Sequence, residues 1–307
     1  MKKYYVYAAV SILGWSTVAT VVKLLLGSLN SFQVLSISSL FAATFLLVVN
    51  IATGNIKKLK SYTAKDYLTS VLIGLPGAFL YYVFYYTGTS FMPASQAFIV
   101  NYLWPIMSVL FACIILKEKM TAVKIIALLC SFAGVIIVVG KDLFGFEWQT
   151  LIGAGFCALG AVSYGIFTAL NQKSSYDKRN SLMIAFFSTF VLTTAINLAS
   201  GNMPSLSGVQ VLGIAWNGIV TIGIANTSWQ LALESKDTAK ISNLAYITPF
   251  LSLIWTWLIL KEQISVFSLI GLAVIMLGIL IQIKFGKKKD EKRDEPAAKT
   301  LDKATDL

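Results

Sequence analysis

Ten apolar runs of about 20 residues, separated by short polar stretches, take up almost the whole chain. They predict helices over roughly 4–26, 31–53, 67–88, 94–116, 122–140, 150–170, 181–200, 209–232, 239–260 and 265–285. At a rise of ~1.5 Å per residue each run is long enough to cross a hydrocarbon core of ~30 Å. The expected fold class is an all-α polytopic membrane protein. No small-residue cleavage site follows the first run, which is of spanning length, so it is expected to be a retained helix rather than a signal peptide. Residues 287–307 form a charged Ala- and Lys-rich tail, expected to be disordered and cytoplasmic.

The pattern repeats. Pro105 matches Pro249, Tyr102 matches Tyr246, Leu116–Lys117–Glu118 matches Leu260–Lys261–Glu262 and Gly134 matches Gly278, all 144 residues apart and without a gap. Leu13–Gly14 matches Leu159–Gly160 at nearly the same spacing. The chain therefore divides into a five-helix repeat over 1–140 and a second over 141–286. Five is odd, so the second repeat enters the membrane the other way up, the arrangement found in alternating-access transporters.

Charge fixes an orientation. The net charge of +11 could point to nucleic acid, but the lysines lie between apolar runs and in the tail rather than on a folded basic face. With the N-terminus cytoplasmic, the inner loops carry Lys57, Lys58, Lys60, Lys65, Lys117, Lys119, Lys124, Lys173, Lys178, Arg179, Lys236 and Lys240. The outer side holds Lys141, Lys261 and, near the end of helix 1, Lys23. That bias places both termini inside. There is no histidine, and Cys113, Cys130 and Cys157 all lie within apolar runs, so neither a metal site nor a disulfide framework is expected.

Polar groups inside such helices are the candidates for function. Val100–Asn101–Tyr102–Leu103–Trp104–Pro105 puts an amide, two amphipathic aromatics and a helix breaker at mid-bilayer depth, and Pro105 cannot donate to the carbonyl of Asn101. Tyr102 and Trp104 lie about 200° apart on a regular helix, so both face one cavity only if the kink unwinds a turn. Helix 9 repeats the device with Asn243, Tyr246 and Pro249. Asn226, Trp229 and Gln230 make a stripe on helix 8. Trp15, Ser16 and Thr17 occupy the middle of helix 1, Tyr82 and Tyr85 share a face of helix 3, helix 6 carries Ser163, Tyr164 and Asn171, and Gln96 stands near the outer end of helix 4. For each of these an interhelical hydrogen bond or an interfacial aromatic belt is the competing explanation. Lys23 and Lys240 are expected to snorkel to the interfaces, or else to meet an anionic substrate group. No Asp or Glu sits at mid-helix, so a buried-carboxylate proton relay has no support and facilitated diffusion is favoured over proton exchange.

Ten helices in two inverted halves, with Pro and then Lys-Glu closing helices 4 and 9, resemble the EamA family of the drug/metabolite transporter superfamily over about residues 4–285. Val100–Asn101–Tyr102–Leu103–Trp104–Pro105, Trp15–Ser16–Thr17 and Asn171–Gln172–Lys173 are similar to the aromatic amino acid exporter branch. The resemblance implies a bacterial inner-membrane exporter of aromatic and other neutral amino acids, without a cofactor, in which Tyr102 and Trp104 line a central cavity opposite Tyr82 or Tyr85. That branch tends to carry a Trp in helix 6 where this chain has Ser163, which implies a wider or retuned pocket. The partners expected are a small-molecule substrate and the lipid bilayer, with a single chain sufficing. A multidrug or cationic-metabolite exporter of the same family is the alternative. A membrane enzyme acting on a lipid-linked substrate is remote, since the chain has no His and only Arg179 and Arg293 to build a catalytic set.

Overall fold

The computed structural model describes residues 2–140, 147–174, 176–235 and 240–285 in full, and 141–144, 238–239 and 286–305 by backbone alone. The tail expected at 287–307, together with Lys141 and Lys236, lies outside the residues described with side chains. Among the described residues ten helices are long and apolar enough to span a membrane: α1 Lys2–Leu26, α2 Ser31–Ala52, α3 Ala64–Phe91, α4 Ala94–Ile115, α5 Ala122–Gly140, α6 Trp148–Lys173, α7 Lys178–Ala199, α8 Gly208–Ala232, α9 Lys240–Leu260 and α10 Val266–Phe285.

Helix starts are written locally, and written twice. Asn30 with Gln33 and Thr63 with Asp66 form reciprocal capping boxes in the first half, and Ser207 with Gln210 repeats the second of them 144 residues on. The ends also match. Lys117 and Lys261 both adopt left-handed backbone, at φ 60° and 58°, and the following N–H groups of Glu118 and Glu262 reach back to the carbonyls of Ala112 and Thr256. This is the helix-ending motif that usually employs glycine.

Packing follows a pseudo-two-fold pattern. α2 lies on α7 and α5 on α10, each helix against its own repeat counterpart, while α6 packs on α3 and α4 just as α1 packs on α8 and α9. The α5–α10 seam is tight because glycines meet there: a Cβ on Gly134 would lie 2.7 Å from the Gly271 carbonyl oxygen, and one on Gly271 would lie 2.6 Å from that of Gly134. Leu129, Ile136, Leu72, Leu212 and Trp257 are all more than half exposed and face where lipid would be.

The third and fourth helices of each half are irregular at equivalent depths. Wide π-type turns run through Leu75–Leu80 of α3 and Trp216–Ile224 of α8. α4 breaks at Tyr102 and Leu103, where the Leu103 N–H reaches the Val100 carbonyl, and α9 tightens into a 3-10 turn at Ala245–Ile247. Pro105 and Pro249 restart the helices beyond the breaks.

Candidate functional site

The broken helices surround one cavity of about 750 Å³ between the two halves. Its deep wall is aromatic. Trp15 and Val18 come from α1, Tyr81 and Tyr82 from α3, Phe98, Asn101, Tyr102 and Trp104 from α4, and Tyr164, Phe167, Thr168 and Asn171 from α6. α8 supplies Thr221, Asn226, Trp229 and Gln230, and α9 supplies Ala245 and Thr248. Asn55, Lys58, Asp177, Lys178, Arg179 and Glu234 ring its mouth. These mouth residues belong to the loops that the charge bias predicts to be cytoplasmic.

The rings form one chain of contacts across α3, α4 and α6 and a separate pair between α1 and α8. Trp104 meets Tyr164 edge-on at 5.3 Å, Tyr164 meets Tyr81 at 4.9 Å, Tyr81 meets Tyr82 at 4.8 Å and Trp15 meets Trp229 at 5.2 Å. Tyr102 and Trp104 stand 6.2 Å apart on the same wall, because the loss of one α-turn between them removes the angular separation a regular helix would impose. The Tyr102 hydroxyl donates to the Ala245 carbonyl at 2.7 Å, which joins the break in one half to the break in the other. The Asn101 amide donates to the Tyr81 hydroxyl at 3.0 Å.

Of the residues expected at the site, Trp15, Tyr82, Asn101, Tyr102, Trp104, Tyr164, Asn226 and Trp229 line the cavity. Ser16, Thr17, Tyr85, Ser163, Asn243 and Tyr246 do not. Ser16 and Thr17 point away from Trp15 and accept the indole N–H of Trp255 at 3.0 Å and of Trp216 at 2.9 Å, so they join α1 to α9 and α8. Tyr85 lies one turn beyond Tyr81, in the closed half of the bundle, where it and Tyr86 are fully packed. Ser163 is buried about 90° off the stripe formed by Tyr164, Phe167, Thr168 and Asn171. The 3-10 turn in α9 winds about 120° per residue, which leaves Tyr246 half-buried against the edge of the core and presents Ala245 and Thr248 instead; Asn243 is exposed. Gln96 does not line the cavity either.

Tyr81, Phe98 and Phe167 are lining residues that the sequence alone did not single out. Pro76, flanked by Gly74 and Gly77, is the signal for the π-type turn that sets the rotation of Tyr81, and the i, i+3, i+4, i+7 stripe on α6 is the signal for Phe167. The ammonium of the half-buried Lys23 is held by the carbonyls of Thr89 and Met92.

At the mouth, Lys58 pairs with Asp177 at 2.6 Å and Arg179 with Glu234 at 3.3 Å. Burial pushes the Asp177 carboxyl up, but bonds from the Asn180 N–H, Lys58 and Asn55 outweigh it and leave the group below its ordinary range. Burial raises the Tyr176 hydroxyl to about 12. Among the described residues no group of three His, Cys, Asp or Glu side chains could hold a metal ion.

Two inverted five-helix halves around a central cavity are the architecture of a membrane transporter. The chain belongs to the EamA-like transporter family of the drug/metabolite transporter superfamily, matching it over residues 2–140 and 151–283. An uncharacterized transporter of Clostridium kluyveri is 26% identical over 95% of this chain and 96% of its own length. The aromatic amino acid exporter YddG of Ancylobacter novellus is 24% identical over 58% of this chain and 63% of its own. A solved crystal structure superposes with a TM-score of 0.64 at 22% identity, covering 92% of this chain and 96% of that one, which supports the fold.

Proposed function

We propose that this transporter exports aromatic and other neutral amino acids, or small metabolites of like shape, across the bacterial cytoplasmic membrane. Its two halves rock about the central cavity, as a single chain with both termini inside. The observation that carries this reading is the composition of the deep wall. It offers ring faces for an apolar side chain and amides and hydroxyls for a zwitterion, and among the described residues its charged groups are confined to the mouth. The similarity to YddG supports the same substrate class. Facilitated diffusion fits a deep wall in which, among the described residues, there is no carboxylate. The second reading, export of flat organic cations, is favoured by the same rings through cation–π contact. It lacks a deep anionic partner, since Asp177 and Glu234 are both at the mouth and paired.

Counterflow by the purified protein in liposomes, with a panel of radiolabelled amino acids and with or without a pH gradient, tests this. Saturable flux of aromatic or neutral amino acids that is indifferent to the gradient is expected. Movement of a flat cation with no amino acid flux would refute the proposal in favour of the second reading.

A further inference from the structure

Opposite the cavity mouth, a set of contacts that uses none of the cavity-lining residues ties the second half to the first. Only Met92 and Pro93 separate α3 from α4. A helix end with unpaired carbonyls and a helix start with unpaired N–H groups therefore lie side by side in one tight turn. Each is met by a charge of the favourable sign. The Lys23 ammonium, from the far end of α1, donates to the carbonyl of Thr89 at 2.8 Å and to that of Met92 at 2.7 Å. The Glu262 carboxylate, on the turn between α9 and α10, accepts the N–H of Ala94 at 2.7 Å through one oxygen and that of Ser95 at 3.0 Å through the other. Lys23 and the turn belong to the first half. Glu262 belongs to the second, so its two bonds cross the seam that must part if this face is to open.

The equivalent carboxylate on the open face behaves differently. Glu118 accepts from Lys124 of its own half at 3.1 Å. The counterpart of Lys124 on the closed face is Ser268, which has no charge to offer Glu262.

We propose that Glu262 and Lys23 form the lock of the closed face. Glu262 clasps the α3–α4 turn across the seam, and Lys23 stiffens that turn from within its own half. This rests on the alternating-access reading above and adds to it the contacts that hold one end state. Both partners are protein groups, so the lock needs no ion from solution. Its release has to come from a difference in substrate affinity between the two states. Without the carboxylate, the α4 N-terminus finds its donors' partners in water, which reaches it best when the face is open. The open state should gain roughly tenfold in population relative to the closed one.

Spin labels at Ser90 and Gln263, both exposed and on opposite sides of the seam, report this directly. Distances are measured by double electron–electron resonance on the full chain in lipid nanodiscs, without substrate, in the otherwise wild-type protein, E262A, E262Q and K23M. The expected result is one short-distance population in wild type, a second, longer one in E262A, an intermediate share in E262Q, which keeps one acceptor oxygen, and a smaller shift in K23M. Thermal melting in the same nanodiscs establishes that each variant is folded. A single unchanged distance in folded E262A and E262Q would overturn the lock and leave Glu262 as a helix cap. A shifted distribution in a protein that moves no amino acid in liposomes would uphold the lock while removing the substrate reading.

Discussion

Gly165 is where α6 touches the restarted part of α4, and the clearest way to disturb the cavity without altering a lining side chain is to give it a methyl group. A Cβ there would lie 2.7 Å from the Met107 carbonyl carbon, 2.8 Å from its Cβ and 2.9 Å from its oxygen. Non-bonded carbons settle at about 3.5–4.0 Å, so the two helices must part by roughly 1 Å. Most of the obstruction is backbone, and no side-chain rotation relieves it. Overpacking of this kind costs about 1–3 kcal/mol. The better helix propensity of alanine returns up to about 1 kcal/mol. Gly165→Ala should therefore lose about 1–2 kcal/mol, a fall in melting temperature of several degrees for a chain of this size. It also moves Trp104 relative to Tyr164, so counterflow should fall by roughly tenfold or more, within the ~100-fold that a misplacement of about 1 Å can cost at a reacting site. Gly155 on the same helix is exposed with nothing within 4 Å, and Gly155→Ala should be neutral or slightly stabilising. Melting in detergent and counterflow in liposomes are compared for the pair. A Gly165→Ala protein that melts and transports like wild type, or an equal loss in Gly155→Ala, would refute this account of the α4–α6 contact.

Three further outcomes are expected. Trp104→Ala should reduce substrate affinity by about tenfold or more, from the loss of stacking and buried area, while melting stays within a few degrees of wild type; unchanged affinity would show that the ring only packs. Single cysteines in place of Gln263 and Lys119 should react with an impermeant thiol reagent from opposite sides of the membrane, and labelling from one side only would contradict the inverted repeat. The lowered Asp177 carboxyl contributes stability that is complete above about pH 4, its unfolded value, and is lost as pH falls through the lower folded value. Melting followed from pH 8 to pH 3 should thus show this contribution disappear only below about pH 4, and Asp177→Asn should flatten that limb; an unchanged limb would mean that the Lys58–Asp177 pair does not contribute.

Much of the molecule was legible in the sequence for local reasons. Helix count follows from the lengths of apolar runs, since backbone groups in lipid must be satisfied within each segment. The breaks in α4 and α9 follow from Pro105 and Pro249, and the inverted halves follow from one constant spacing and an odd number of helices. Asn101, Tyr102 and Trp104 could be placed at the cavity because helix breakers and amides have little other use at that depth.

Which side of each helix faces the cavity was decided only by the tertiary structure. Ser16 and Thr17 read like ligands beside Trp15, yet the indoles they satisfy come from α9 and α8, more than 190 residues away. Tyr85 shares a face with Tyr82 but lies beyond the end of the cavity, and that end exists only because one face of the bundle is shut. Ser163 and Tyr246 were displaced by rotations of a fraction of a turn, set by how α6 packs and by the 3-10 turn in α9. Lys23 and Glu262 illustrate the same division. The sequence by itself determines that each sits at a helix end, because charges are costly deeper in the bilayer. Glu262 reaches the α3–α4 turn because the two halves meet there, and Lys23 because α1 packs beside that turn within the first half; a charge in low dielectric settles on whichever unpaired helix end the packing brings within reach.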